Sequence, residues 1–161
     1  MPKPANTSKL QPILYSVAER KRKAGAGVLF FAKDTDRFLV LLRSGLVREP
    51  YTWSGVGGKI DDGEAPFETA KREVFEEMGV APEAKYYLVY VFKTKHNVFT
   101  YFNFLGVVEK EFEPTLNNEN LEFKWLSWKE LATMPQKHYG LKSLLTHGGD
   151  KIKRITKQAK V

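Results

Sequence analysis

The sequence predicts an α/β (α+β) fold, an α/β/α sandwich in which helices cover both faces of a mixed β-sheet. Apolar runs of strand length lie on both sides of a central amphipathic helical segment. A further helical segment lies near the C-terminus. Strands interspersed with helices in this way favour a sheet with helices packed on its faces. The order of the elements alone does not determine the order of the strands in the sheet.

The first two strands are predicted to form a hairpin. Residues 24–32, AGAGVLFFA, are apolar throughout, which is typical of a strand buried on both faces. Residues 33–36 form a polar turn, and residues 38–43, FLVLLR, form the second strand. The polar, glycine-rich stretch 44–58 is interpreted as a connection to the next element.

The central helix is predicted over residues 66–78. Pro66 suits a first helical turn, where its missing N–H is not needed. The apolar stripe recurs every three or four residues, at Phe67, Ala70, Val74 and Met78. Gly79 is placed to end the helix in a left-handed conformation.

Three strands and two helices are predicted in the second half of the chain. Residues 86–92 and 99–108 are predicted strands, and 121–126 follows an acidic loop over 109–120. Ser127 and Glu130 form a capping box for a short helix over residues 128–133. A last helix is predicted around Leu141, Leu144 and Leu145, ahead of a basic tail.

The chain is expected to form a single domain over residues 1–161, since this length supports one core and no linker divides it. It contains no cysteine, which excludes disulfides, thiolate metal ligands and a cysteine nucleophile. It starts without an apolar run, and no apolar segment approaches the roughly 18 residues that span a membrane. We therefore expect a cytoplasmic protein.

Basic residues concentrate at the two ends of the chain, whose formal net charge is +7. Residues 1–16 are expected to form an N-terminal arm, and residues 20–23, RKRK, follow it. Residues 148–161 are expected to form a basic C-terminal tail. Such charge attracts polyanions, which include nucleotides and nucleic acids, but a basic tail also serves solubility alone.

Three glutamates crowd one side of the predicted helix: Glu73, Glu76 and Glu77. Like charges three or four residues apart destabilise a helix by about 0.2–0.5 kcal/mol per pair. The helix dipole adds roughly 0.3–1 kcal/mol against each anion in the last turn. A bound cation would compensate this conflict, and oxygen ligands suit Mg²⁺ or Mn²⁺. The alternative is a solvated acidic helix face.

The stretch 58–80, GKIDDGEAPFETAKREVFEEMGV, resembles the Nudix box, G-x5-E-x7-R-E-U-x-E-E-x-G-U, where U is apolar. Every specified position is filled. The resemblance implies membership of the Nudix hydrolase superfamily. It also implies a Nudix-type α/β/α sandwich with a loop-helix-loop metal site.

Nudix hydrolases cleave a diphosphate bond in a nucleoside diphosphate linked to another group X, with a divalent cation that is usually Mg²⁺. The metal ligands that the resemblance implies are Glu73, Glu76, Glu77 and the backbone carbonyl of Gly57. Arg72 would hold a box glutamate in place. Glu64 would either assist the metal site or cap the loop before the helix.

The general base is left open by the resemblance, because some family members use a box glutamate and others an acid from a later loop. Glu119 lies in a loop before a strand, where several members carry such an acid, and it is preferred to Glu122. Glu122 falls inside the alternating segment, where an exposed strand residue is equally expected. Either of these two carboxylates could also be an ordinary surface group.

Substrate contacts are predicted from residue type and from position near the box. Arg43, Arg48 and Lys59 could meet phosphates. Aromatic side chains that could stack on a base are Trp53, Tyr51 and Phe102. For Trp53 a core position is the alternative. The three histidines have no metal-ligand spacing.

The expected function is that of a nucleotide pyrophosphohydrolase, acting on a nucleoside triphosphate to release pyrophosphate. The sequence Val56-Gly57-Gly58 departs from the Pro-Gly-Gly of many members and weakly favours triphosphate substrates. The proline typical of ADP-ribose hydrolases is missing between Ala84 and Glu113. ADP-sugar or dinucleotide cleavage and RNA 5′-end trimming are alternatives, and a non-catalytic binding module is a rival class that the intact box opposes. Family resemblance also allows a homodimer.

Overall fold

A computed structural model of the chain describes residues 23–160. The predicted N-terminal arm and residues 20–22 of the first basic cluster lie outside this range. The elements, in chain order, are β1 (Lys23–Ala32), β2 (Arg37–Arg43), β3 (Trp53–Ser54), β4 (Val56–Lys59), α1 (Pro66–Met78), β5 (Lys85–Lys93), a 3₁₀ turn (Lys95–Asn97), β6 (Phe99–Val108), β7 (Asn120–Leu126), α2 (Trp128–Thr133) and α3 (Tyr139–Ala159).

The strands form one seven-stranded mixed sheet centred on β1. β6 lies parallel to β1 along its whole length, from Lys23 beside Phe99 to Ala32 beside Val108. The other edge of β1 is therefore shared: β4 pairs with its first half and β2 with its last three residues, both antiparallel. β3 and β7 pair with β2, and β5 pairs with β6. The chain thus pairs with β2 through β3 and then with β1 through β4.

Two apolar clusters, one on each face of the sheet, confirm the predicted sandwich. Successive side chains of a strand point to opposite faces. On one face Val28 and Phe30 of β1 pack with Val74 and Met78 of α1. On the other face Leu29 and Phe31 pack with residues of α2 and α3, namely Leu131, Leu141, Leu144 and Ile152. The face covered by α1 is called the α1 face below, and the opposite one the α3 face.

The predicted caps of the helices are confirmed. Gly79 ends α1 with φ 66°, a left-handed conformation that costs a glycine little, and its N–H donates to the carbonyl of Phe75. The hydroxyl of Ser127 accepts from the N–H of Glu130, whose carboxylate accepts from the N–H of Ser127. The predicted strands are also found, with bounds that differ by at most one residue.

The connection expected over residues 44–58 is wrong in its second half, because this half contains β3 and β4. Neither strand is long enough to show an alternating pattern, and glycine occupies two of the four positions of β4. Their strand conformation depends on partners that are distant in sequence: β2 holds Trp53 and Ser54, and β1 holds residues 56–59.

The basic tail expected over residues 148–161 is also wrong for the part that the structure describes, since α3 continues to Ala159. Ile152 is fully buried and Thr156 is 8% exposed. These two residues continue, at a spacing of four, the buried row that Leu144 and Gly148 begin. The many lysines lie on the solvent side of a helix whose other side is core. Within residues 23–160, none of the helices has the length and apolar composition needed to cross a bilayer.

Replacing Ile152 with alanine should reduce the free energy of unfolding by about 2–5 kcal/mol, because it leaves a cavity in the cluster on the α3 face. Arg154→Ala is the matched control on the same helix, since Arg154 is exposed and its loss should change stability by about 0.5 kcal/mol or less. Urea unfolding followed by circular dichroism measures both. Equal effects of the two substitutions would show that the end of α3 is not packed.

Candidate functional site

The edge of β4 that is not paired with β1 faces α1. Side chains of α1 form hydrogen bonds to the backbone of this edge. Alternate residues of β4 form their backbone hydrogen bonds with β1. The same pattern continues at Ile60, whose N–H donates to the carbonyl of Ala24 at 2.9 Å. The backbone groups of the residues between them, Gly57 and Lys59, point away from β1. The N–H of Gly57 donates to Oε2 of Glu77 at 3.0 Å, and the carbonyl of Lys59 accepts from Nη2 of Arg72 at 2.9 Å. Since both backbone groups of a strand residue point to one side, the carbonyl of Gly57 faces the same space.

Glu77 is an ionisable group in the interior of the protein. It is 6% exposed, and Nδ2 of Asn120 donates to its Oε1 at 3.0 Å while Gly57 holds the other oxygen. Burial raises the pKa of Glu77 to about 8. The negative charges of Glu73 and Glu119 also act to raise this pKa, whereas the hydrogen bonds from Asn120 and Gly57 act to lower it. A positively charged ligand would therefore stabilise this carboxylate.

Glu73 lies against β4, one turn before Glu77. Its side chain is 13% exposed, and its carboxylate occupies the space where Gly58 would carry a Cβ, so any larger residue at position 58 would collide with it. Burial raises its pKa, and repulsion from Glu76 and Glu119 acts in the same direction. The pairing with Arg72 acts against them. Glu73 and Glu77 therefore repel each other in partly desolvated surroundings.

Arg72 holds a single guanidinium among four carboxylates. Its nitrogens lie 2.8 Å from Glu64, 3.0 Å from Glu73, 3.1 Å from Glu76 and 3.3 Å from Asp61. The hydrogen bond to Glu64 is the main reason why the pKa of Arg72 is raised. The side chain of Glu76 is 49% exposed, so this box glutamate is the most accessible of the three.

Glu64 caps the loop before α1, which is one of the two roles that the sequence allowed. Its Oε1 accepts from the N–H of Asp61 at 3.0 Å and from the hydroxyl of Thr69 at 2.8 Å. The same carboxylate receives two hydrogen bonds from Arg72. These bonds, that of Arg72 first, lower its pKa to about 2. Glu64 thereby joins the loop, the start of α1 and the guanidinium.

The loop before β7 completes the cluster from the other side. Nδ2 of Asn117 donates to the carbonyl of Glu76, and the carbonyl of Glu119 accepts from the N–H of Ser44. The exposed carboxylate of Glu119 is near enough to act on the pKa values of Glu73 and Glu77. Glu122 is an exposed residue of β7, opposite Leu42 of β2.

Within residues 23–160, no three acidic or histidine side chains form a preformed ion-binding group. Arg72 binds Glu73 and Glu76, while Glu77 is directed to Gly57 and Asn120. The donors nevertheless fit a hard divalent cation, because they are carboxylate and carbonyl oxygens with an uncompensated excess of negative charge. One guanidinium cannot neutralise the four carboxylates around it, and Glu119 lies near enough to add to the excess.

The predicted phosphate contacts differ in their surroundings. The guanidinium of Arg43 donates to the carbonyl of Arg48 through Nε at 2.8 Å, which binds the loop after β2 onto itself. The side chains of Arg48 and Lys59 are exposed. Lys59 lies on β4 beside the carboxylate cluster, where its own carbonyl binds Arg72.

The three aromatic candidates for stacking on a base lie in different surroundings. Trp53 is 8% exposed and packs in the cluster on the α3 face, with the ammonium of Lys124 4.9 Å from the centre of its ring. Trp53 thus occupies the core position expected as the alternative to a substrate contact. Phe102 packs against the core on the α1 face, whereas Tyr51 is 58% exposed.

Sequence reasoning missed two residues of this region, Asn120 and Tyr101. Asn120 was expected to end a loop, but it begins β7 and binds Glu77. Tyr101 lies on the α3 face, against Gly25, Gly27 and Gly57. Burial raises its pKa, with Glu77 and Glu73 adding to the effect. Alternate glycines in an otherwise apolar strand were the available signal, since they mark a close approach of another group.

Comparisons with known proteins agree with this geometry. The family model described as NUDIX domain matches residues 21–146. A dihydroneopterin triphosphate diphosphatase from Haemophilus influenzae is 29% identical over 136 residues, which cover 74% of this chain and 84% of that protein.

Solved structures show the same fold. The MutT protein of Methanosarcina mazei Go1 superimposes with a TM-score of 0.67 at 20% identity, over 81% of this chain and 95% of the other. The dihydroneopterin triphosphate pyrophosphohydrolase of E. coli does so with a TM-score of 0.62 at 21% identity, over 79% and 95%.

The buried carboxylate of Glu77 should lower the free energy of unfolding as the pH rises. Most carboxylates, whose pKa is lowered by folding, have the opposite effect. The pKa of Glu77 is about 8 in the folded protein and 4.5 in the unfolded chain, so between these values the folded state retains a proton that the unfolded state has lost. The contribution of Glu77 to stability therefore falls by up to about 1.4 kcal/mol per pH unit as the pH rises from 4.5 to 8.

Glu77→Gln should remove this dependence. In buffer containing EDTA, urea unfolding of the variant should show a stability advantage over the wild type that is absent near pH 4.5 and grows toward pH 8. A constant difference across this range would contradict the raised pKa.

Proposed function

Because this chain belongs to the Nudix hydrolase family, we propose that it cleaves a diphosphate bond in a nucleoside diphosphate-X substrate with Mg²⁺, or Mn²⁺ in its place. The observation that carries the proposal is the buried carboxylate of Glu77, held between Gly57 and Asn120 and repelled by Glu73 and Glu119. A carboxylate buried among like charges destabilises the folded protein when no cation is bound. Such a destabilising group is expected at a functional site.

The proposed ligands of the cation are Glu73, Glu76 and Glu77, together with the carbonyl of Gly57. When bound, a divalent cation would neutralise the charge of the diphosphate and lower the pKa of a bound water. Glu76 is the ligand that can move most freely, since half of its side chain is exposed. Gly57 and Asn120 fix the orientation of Glu77.

Arg72 is proposed as a positioning residue. It binds Glu73 and Glu76 on the side of the cluster next to Glu64, and its bonds to Glu64 and to the carbonyl of Lys59 tie it to the loop and to β4. It therefore holds the two glutamates beside the edge of β4, where the third one already lies. The bonds of Arg72 to Glu64 remain available when Glu76 leaves it to bind a cation.

Glu119 is proposed as the general base that accepts the proton of the attacking water. Its charge acts on Glu73 and Glu77, so it lies beside the proposed ligands, and exposure leaves it free to reach the substrate. Glu122 is the second candidate, in agreement with the two possibilities that the sequence left open.

The proposed substrate is a triphosphate, cleaved to a monophosphate and pyrophosphate. The relative from Haemophilus influenzae is named for removing diphosphate from dihydroneopterin triphosphate, and it aligns over three quarters of this chain. A nucleoside triphosphate and a dihydroneopterin triphosphate carry the same chain of three phosphates, esterified to a hydroxyl of the group that a nitrogen heterocycle bears. These two compounds are therefore the first substrates to test.

Glu76→Gln and Glu77→Gln should each reduce kcat by about 10²-fold or more, because each removes a charge that the cation needs. Glu68→Gln is the matched control on α1, where a glutamine still caps the N–H of Ala65 and activity should be unchanged. Pyrophosphate release in the presence of Mg²⁺ measures all three. Undiminished Mg²⁺-dependent hydrolysis by both site variants would refute the assignment.

The two candidates for the general base are separated by Glu119→Gln and Glu122→Gln. We expect only the first to lower kcat, by about 10²–10⁴-fold, and to remove the acidic limb of the pH–rate profile. Loss of that limb in the Glu122 variant would instead select Glu122. If neither variant alters the profile, a box glutamate is the base.

A hydrolysis screen should show the highest kcat/KM for triphosphates. The panel contains the nucleoside triphosphates, dihydroneopterin triphosphate, ADP-ribose, NADH, dinucleoside polyphosphates and RNA with a 5′-triphosphate. Pyrophosphate and orthophosphate are assayed separately, since release of pyrophosphate places the cleavage between the first and second phosphates. Preference for ADP-ribose or a dinucleoside polyphosphate would contradict the proposed substrate class.

A further inference from the structure

Tyr101 crosses three glycines on the α3 face of the sheet. It belongs to β6 beside Gly25 of β1, and its ring passes over Gly25 and Gly27 until its hydroxyl reaches Gly57 of β4. A Cβ at Gly25 would lie 2.9 Å from the ring, and one at Gly27 or Gly57 would collide with the hydroxyl. Glycine at these three positions therefore makes the space in which this side chain lies.

This arrangement places a phenol hydroxyl beside the carboxylate cluster. Gly57 is the residue that Glu77 holds through its N–H at 3.0 Å, so the Tyr101 hydroxyl and the Glu77 carboxylate contact one residue from different sides. The positive charge of Arg43 also acts on the hydroxyl. A neutral donor thus lies against Gly57, the residue whose N–H binds Glu77.

The Tyr101 hydroxyl is an unused donor within the described part of the chain. Within residues 23–160 it makes no hydrogen bond, and no polar side-chain atom in that part of the chain is both buried and unpaired. Tyr101 is half-buried, and the three glycines that it crosses leave room for its side chain. Phenylalanine would fill the same space, so packing against residues 23–160 does not account for the hydroxyl.

We propose that Tyr101 donates a hydrogen bond to a phosphoryl oxygen of the substrate, as a binding residue on the side of Gly57 opposite to Glu77. The inference rests on the proposed function, because it takes the polyphosphate to lie over the edge of β4. A phenol is a donor without charge at neutral pH, so it can contact the phosphate without the repulsion that another carboxylate would add.

The test compares Tyr101→Phe with the wild type and with Tyr90→Phe, a half-buried tyrosine on β5 that stacks on His147. Calorimetry with Mg²⁺ measures the affinity for inorganic tripolyphosphate and for a triphosphate whose first bridging oxygen is replaced by methylene. Tyr101→Phe should weaken both by about 10- to 100-fold, the range for a hydrogen bond to a charged group. KM should rise by a similar factor, with an unchanged melting temperature, and Tyr90→Phe should match the wild type.

Each other outcome has a definite meaning. Equal affinities for Tyr101→Phe and the wild type would overturn the inference and leave the proposed function intact if the wild type hydrolyses triphosphates. Weakening of the nucleotide analogue alone would also overturn it, since the contact would then be with the sugar or the base. Tyrosine-dependent binding of tripolyphosphate by a protein that hydrolyses no substrate would overturn the proposed function alone.

Discussion

Burial of the Glu77 carboxylate against the edge of β4 is the constraint on which the site depends. The group is almost completely removed from water, and its two oxygens are held by Gly57 and by Asn120. Those two hydrogen bonds bring together α1, β4 and the start of β7, which are separated by long stretches of chain. A buried carboxylate that keeps its charge needs either such partners or a cation, and the partners found here compensate only part of the cost.

The second feature of the site is a local excess of negative charge within a protein that is basic as a whole. The chain as a whole carries +7, yet Arg72 is surrounded by four carboxylates, and two more lie nearby. Four ion pairs with one guanidinium do not add up to neutrality. The geometry is consistent with a cluster that is partly satisfied by Arg72 and that gains most when a divalent cation and a polyphosphate bind together.

The sheet allows this cluster to lie at an edge instead of at a helix surface. Because β6 occupies one whole edge of β1, β2 and β4 share the other, and β4 is left with backbone groups directed to α1. Glycines at positions 57 and 58 keep that edge narrow enough for Tyr101 on one face and Glu73 on the other. Groups from both faces thereby reach the same short length of strand.

The sequence by itself determined the helix over residues 66–78, its glycine cap and the three crowded glutamates, because spacing along one helix places these groups without help from the rest of the chain. It also predicted a sandwich, since apolar runs and amphipathic stripes depend on local composition. It did not predict β3 and β4, the contact of Asn120 with Glu77 or the course of α3 through the basic segment, and it left Trp53 open between the core and the substrate site. Each of these depends on which distant segment lies alongside, and only the tertiary structure decides which segment shields a side chain from water.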